Sequence, residues 1–138
     1  MADGPAKILP LRKSARPSAE GQLASARSRL RVVIGPRHLG PGKADLLEAI
    51  GRTGSISAAG REMGMSYRRA WLLVDEVNKM FTRPVVLSSV GGAHGGGAQL
   101  SDFGRALVAA YRRIEARTML AIREELAPFE SDLAEPEA

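Results

Sequence analysis

Ser55-Ile-Ser-Ala-Ala-Gly-Arg-Glu-Met-Gly-Met-Ser-Tyr-Arg-Arg-Ala-Trp-Leu-Leu-Val74 decides how the rest of the chain reads. Ser55 and Ser66 each stand just ahead of an apolar run. A serine there can accept a backbone N–H from the first turn of a helix, so both are expected N-caps. Behind Ser55, the residues Ala58, Ala59 and Met63 share one side of a helix of about two turns, which Gly64 interrupts. Where a second helix crosses the first, a small residue is required, and Gly60 supplies it beside Ala59. The turn between them needs a residue tolerant of positive φ, and Gly64 follows four positions later. Met65, Ala70 and Leu73 then fall at spacings that fold the second helix back onto the first. The stretch predicts helix, tight glycine turn, helix.

Upstream, Leu46, Leu47 and Ile50 mark a helix that begins near Lys43 and closes over Gly51 to Gly54. Arg29-Leu-Arg-Val-Val-Ile34 alternates and is β-branched enough for one short strand, followed by two breaks at Gly35-Pro36 and Gly40-Pro41-Gly42. Downstream, Tyr67, Ala70, Trp71, Val74, Val77 and Phe81 are expected to form the buried face of the second helix, which Pro84 stops. Trp71, the only tryptophan, is assigned to the core and not to a base-stacking surface. Val85 to Leu87 and Ala98 to Leu100 predict a hairpin around the glycine-rich Gly91-Gly-Ala-His-Gly-Gly-Gly97. Ser101-Asp102 caps a long last helix that runs to about Leu126, before Pro128. The order strand, three helices, hairpin, helix is a winged helix-turn-helix, mainly α with a small β-hairpin wing and a long C-terminal dimerisation helix. Residues 1–29 read as a disordered basic arm, 30–127 as the domain, and 128–138 as an acidic disordered tail.

Charge is unevenly spread over the 138 residues, whose net is +5. Residues 1–31 hold seven Lys/Arg against two acids, residues 32–123 hold thirteen against seven, and residues 124–138 hold six acids and no base. A basic body with an acidic tail suits a polyanionic partner. Cysteine is absent, and His38 and His94 are too far apart in sequence to form a ligand cluster, so no metal or other cofactor is expected. With no nucleophile–base pair and no convincing pair of carboxylates, the chain is not expected to be an enzyme. It has no apolar run of membrane-spanning length, and Met1 to Gln22 lacks the apolar centre of a secretory signal, so it is expected to be cytoplasmic with no membrane partner.

Within this frame the residues at the start of the second helix acquire a role. On an isolated helix, Arg68 and Arg69 would simply keep a surface solvated. After a helix-turn-helix they sit at the end that meets base edges in the major groove of duplex DNA, where arginine can bind guanine with two hydrogen bonds and serine can reach a phosphate or a base. Ser55, Ser66, Tyr67, Arg68, Arg69 and His94 are the expected DNA contacts, with Tyr67 shared between core and phosphate. The glycine-rich loop reads either as a wing tip against the sugar–phosphate backbone or as a plain loop. It lacks the following Lys-Ser/Thr and the helix start of a nucleotide-phosphate loop. Phe103, Leu107, Ala110, Ile114, Thr118, Ile122, Leu126 and Phe129 form a stripe along a helix of roughly 37 Å, longer than a small domain can cover. Its second half predicts a homodimer. The alternative reading of the whole is a winged-helix protein-interaction module without specific DNA binding.

Gly54-Ser-Ile-Ser-Ala-Ala-Gly60, Gly64-Met-Ser-Tyr-Arg-Arg-Ala-Trp71 and Val74-Asp-Glu-Val-Asn78 resemble the N-terminal DNA-binding domain of the molybdate-responsive ModE-type transcription regulators. The segment 91–97 and Leu100-Ser-x-x-Gly104 resemble the same family, over about residues 29–123. The resemblance implies a winged-helix dimer on operator DNA, with Ser66, Tyr67 and Arg68 in the recognition role. The family's full-length form adds a β-rich oxyanion-binding domain. No such domain is expected in this chain, and no small-molecule effector is evident.

Overall fold

The computed structural model describes residues 21–89 and 97–137, which divide into two units. The larger, Ser28–Arg117, contains the winged helix-turn-helix. It opens with an antiparallel hairpin of β1 (Val32–Ile34) and β2 (Arg37–Leu39). Three helices follow: α1 (Pro41–Thr53), α2 (Ile56–Glu62) and α3 (Tyr67–Met80). A second antiparallel hairpin, β3 (Val86–Ser89) with β4 (Gly97–Leu100), leads into α4 (Asp102–Leu126). No described helix is long and apolar enough to cross a membrane.

The first hairpin corrects the expectation of a single strand. Gly35-Pro36 does not end the strand but turns it: Gly35 has φ 60°, as a two-residue hairpin turn with glycine first requires, and Ile34 pairs with Arg37 across it. Gly40-Pro41-Gly42 is likewise not a break. Gly40 is the N-cap of α1 and Pro41 its first residue, a position where a missing N–H is harmless. Gly54, with φ 73°, ends α1 in the left-handed conformation. At the other end of α3 the chain leaves the helix at Phe81, before Pro84 is reached.

One aliphatic core joins these elements. Leu46, Leu47, Ala49 and Ile50 of α1 meet Ala59 of α2, then Ala70, Leu73, Val74 and Val77 of α3. Val85 and Val86, Ala98 and Leu100 of the second hairpin, and Val108 of α4, close it. Fully burying a Leu, Ile or Val contributes about 1.5–3 kcal/mol, so this cluster carries most of the domain's stability. Leu39, Ala44 and Tyr111 form a smaller cluster beside it.

The inward stripe of α4 differs from the expected one. Gly104, Val108 and Tyr111 are buried, while Ile114 is exposed. Gly104 lies so close to Val85 that a Cβ there would run into the Val85 carbonyl oxygen. The Tyr111 hydroxyl donates to the Leu30 carbonyl oxygen at 2.7 Å, which fastens the segment ahead of β1. Ser101 caps α4 as expected, accepting from the Gly104 N–H at 2.9 Å. Arg112 binds Asp45 and Glu48 of α1 and Glu115 of its own helix, and those hydrogen bonds, with Glu48 foremost, hold its guanidinium charged.

The smaller unit joins residues up to Arg27 with those from Thr118 on. Two short 3-10 helices are present: Gln22–Ser25, within the 1–29 arm expected to be disordered, and Ala127–Asp132, which crosses into the 128–138 tail. Hydrogen bonds between these two distant stretches of the chain hold them together. The Glu130 carboxylate accepts from the Leu23 N–H at 3.2 Å, and the Gln22 side-chain amide donates to the Ala134 carbonyl oxygen at 2.9 Å.

Candidate nucleic-acid interface

The pair α2–α3 is built from short-range rules. The Ser55 side chain accepts from the Ala58 N–H at 3.1 Å and the Ser66 side chain from the Arg69 N–H at 3.1 Å, so both serines cap their helices. Gly64 turns the chain with φ 67°. The Met65 N–H then reaches back to the Gly60 carbonyl oxygen at 2.9 Å, pinning the turn to the helix it leaves. Gly60 is buried against Ala70, which lets the two helices approach closely.

This geometry brings Ser66, Tyr67, Arg68 and Arg69 together on the exposed first turn of α3, and places Ser55 at the start of α2. The Arg68 and Arg69 guanidinium groups have no ion-pair partner among the described residues. His94 and the wing tip lie outside the described residues.

Two aromatic residues are not where the sequence reading put them. Tyr67 is 59% exposed and Trp71 47% exposed, so neither belongs to the core. The buried face is Ala70, Leu73, Val74 and Val77. At about 100° per residue, Trp71 lies a quarter-turn round from Ala70 and clears the plane where α3 meets α1 and α2. Its indole borders a recess of about 150 Å³ whose walls include Asn78, Val86 and Leu87. The surface that α3 offers is therefore aromatic as well as cationic, with Tyr67 and Trp71 one turn apart.

The wing is tied to this helix by a residue the sequence reading gave no role. Asn78 Oδ1 accepts from the N–H groups of Val85 and Val86 at 2.9 and 3.0 Å, and Asn78 Nδ2 donates to the Val86 carbonyl oxygen at 3.2 Å. A buried strand start needs such partners, because unsatisfied backbone groups are costly. The Ala98 N–H donates to the Gly54 carbonyl oxygen at 3.0 Å, so the second strand is anchored to the end of α1. Both strands are thus held at their bases relative to α3, and the pairing of Ser89 with Gly97 marks where the described wing ends.

No family model matches the chain. It is similar to the molybdenum-pterin-binding protein MopB of Rhodobacter capsulatus, 47% identical over 95 residues, or 69% of this chain and 34% of that protein. Over 70 residues it is 47% identical to the molybdenum transport protein ModE of Azotobacter vinelandii, covering 51% of this chain and 26% of the relative. Over 71 residues it is 37% identical to the DNA-binding transcriptional dual regulator ModE of Escherichia coli (strain K12), covering 51% of this chain and 27% of the relative. The chain thus spans 26–37% of the length of the curated relatives it matches. It is a partial ModE-like domain.

Proposed function

We propose that this chain is a sequence-specific, duplex-DNA-binding transcription regulator that acts as a homodimer in molybdenum-related gene control, without enzymatic activity. The observation that carries this reading is the exposed first turn of α3. There Arg68 and Arg69 stand unpaired among the described residues, on a helix whose opposite face is locked to α2 through Gly60 and Ala70. A cationic helix end held rigidly away from its own domain suits insertion into a major groove. The relatives support it, one being called a DNA-binding transcriptional dual regulator and another a molybdenum transport protein. Ser66, Tyr67 and Arg68 read the groove, Arg69 beside them and Ser55 from α2 approach the backbone, and His94 is the further backbone contact.

Selection of bound sequences from random duplexes tests the reading, followed by binding of the selected site across salt concentrations. A palindromic consensus is expected, and log K should fall with log salt by about 0.9 for each phosphate neutralised. A flat salt dependence, or selection that yields no consensus, would overturn it.

A further inference from the structure

A cleft of about 440 Å³ lies between the first hairpin, the start of α1 and the first turns of α3. Arg29, Arg31, His38, Gly42, Lys43 and Arg69 line it, and no carboxylate is among its lining residues. Lys43 forms its floor. Only 5% exposed, its ammonium group is matched internally, 2.8 Å from the His38 carbonyl oxygen and 3.0 Å from the Glu76 carboxylate. Arg29, Arg31 and Arg69 are different: their guanidinium groups have no hydrogen-bond or ion-pair partner among the described residues. Three unpaired cations, two from the stretch ahead of β1 and one from α3, thus converge on one concavity.

The backbone adds to the same potential. Gly40 caps α1 without a side-chain oxygen, the first turn of α1 holds no acid, and the space beside Gly42 is open. The positive end of the helix is therefore left uncompensated beside the arginines. His38 registers this field. Partial burial, then the charges of Lys43 and Arg31, lower its pKa below 6.5, and Glu76 alone acts the other way. Solvated surface arginines would spread apart to reduce their repulsion. Here they share a hollow that a tetrahedral oxyanion, with acceptor oxygens on every side, would neutralise.

We propose that this cleft seats a phosphate group, and that in the bound complex it takes the DNA backbone phosphate flanking the α3 contact. The second part rests on the DNA-binding reading. Arg69 links the two, since it leaves the first turn of α3 beside Arg68 and also lines the cleft. A phosphate held there would fix the register in which α3 lies in the groove, while carrying no sequence information itself.

Two experiments on the full chain separate the sources of that phosphate. In the first, inorganic phosphate is titrated at constant ionic strength against chloride while backbone amide and His38 ring resonances are followed. Saturable shifts at Gly42 and Lys43 and a rise in the His38 pKa are expected, and both should vanish in Arg29→Gln/Arg31→Gln. Shifts that never saturate, or that chloride reproduces, would overturn the site. The second measures duplex binding against salt. Arg31→Gln should weaken all sequences alike and flatten the log–log slope by about 0.9, whereas Arg37→Gln, on β2 and outside the cleft, should leave it unchanged. An unaltered slope in Arg29→Gln/Arg31→Gln, beside saturable inorganic phosphate binding, would assign the cleft to a free anion and overturn the backbone assignment. If the unmodified chain binds no duplex, the regulatory reading fails, and the phosphate titration still decides the cleft.

Discussion

Gly60 of α2 and Ala70 of α3 cross so closely that a Cβ on Gly60 would lie 3.0 Å from the Ala70 Cβ. Neither side has a flexible group to move aside, because the opposing atom is attached directly to a helix backbone. Gly60→Val should therefore force α3 outward and cost about 1–3 kcal/mol as an overpacked core does, in addition to weakening DNA binding. Gly60→Ala tests the crossing more finely. The favourable helix propensity of alanine, about 1 kcal/mol, opposes the clash. Combining it with Ala70→Gly should restore the space, giving a coupling energy of at least about 0.5 kcal/mol in a double-mutant cycle by urea unfolding. Strict additivity would mean that the crossing is loose.

Asn78 holds the wing base through three hydrogen bonds to Val85 and Val86, both buried. Asn78→Ala leaves two N–H groups and a carbonyl oxygen without that partner, and should cost about 1–3 kcal/mol. Asn78→Asp keeps the acceptor and loses the donor, so it should be milder. Amide exchange at Val85 and Val86 distinguishes a local effect from a global one. Protection should collapse there in Asn78→Ala while Ile50 and Val77 stay protected. Unchanged exchange at both valines would show that the side chain does not secure the wing.

Arg68→Ala should cost about 1–3 kcal/mol on the selected duplex and relax the preference at one base position in each half-site. The measurement is competition binding against a set of single-position variants of the site. A uniform loss across that set would make Arg68 a phosphate contact instead.

His38 gives the domain a pH dependence of known sign. Its folded-state pKa lies below 6.5, through partial burial and the cations Lys43 on α1 and Arg31 ahead of β1, opposed by Glu76 on α3. Below that value the unfolded chain binds more protons than the folded one. Stability is therefore fully present above pH 6.5, and is lost as pH falls from there through the lower folded value. Relative to His38→Gln, the native protein should lose stability on acidification across that window, and saturating phosphate should shrink the loss. A parallel decline in the two proteins would remove His38 from the balance.

The helix-turn-helix was legible because its determinants are local: caps one residue ahead of each helix, Gly64 at φ 67° and a small residue at the crossing. The misplacement of Trp71 has an equally local cause. Tyr67, Trp71 and Val74 fit a helical face as well as Ala70, Val74 and Val77 do, and only the position of α1 decides which one is covered. Gly35-Pro36 has the same composition whether it ends a strand or turns it. The cleft was illegible for a different reason. Arg29, Arg31, Lys43 and Arg69 come from three separate segments, and only folding brings them to one place. Tyr111 likewise reads as an unremarkable helix residue until Leu30 supplies its acceptor.

The exposed apolar residues beyond Arg117 carry the last prediction. Leu120 is 57% exposed, Phe129 58% and Leu126 42%, and every residue of the two buried clusters precedes Thr118. Substitutions at those three positions should therefore leave the folded domain intact. In the proposed homodimer each side chain would count twice across a two-fold interface, so losing about 1.5 kcal/mol of burial per leucine would weaken it by about 3 kcal/mol for each position. That is more than a hundredfold in dissociation constant. Leu120→Glu and Leu126→Glu should each move the protein towards monomer in sedimentation equilibrium, with unchanged thermal unfolding of the domain at concentrations where the native chain is already monomeric. DNA affinity should fall with the dimer, because a single half-site contact keeps only part of the binding energy. A double variant that stays dimeric at micromolar concentration would place the interface elsewhere, with exposed Val33 and Ile34 of the first hairpin the next surface to test.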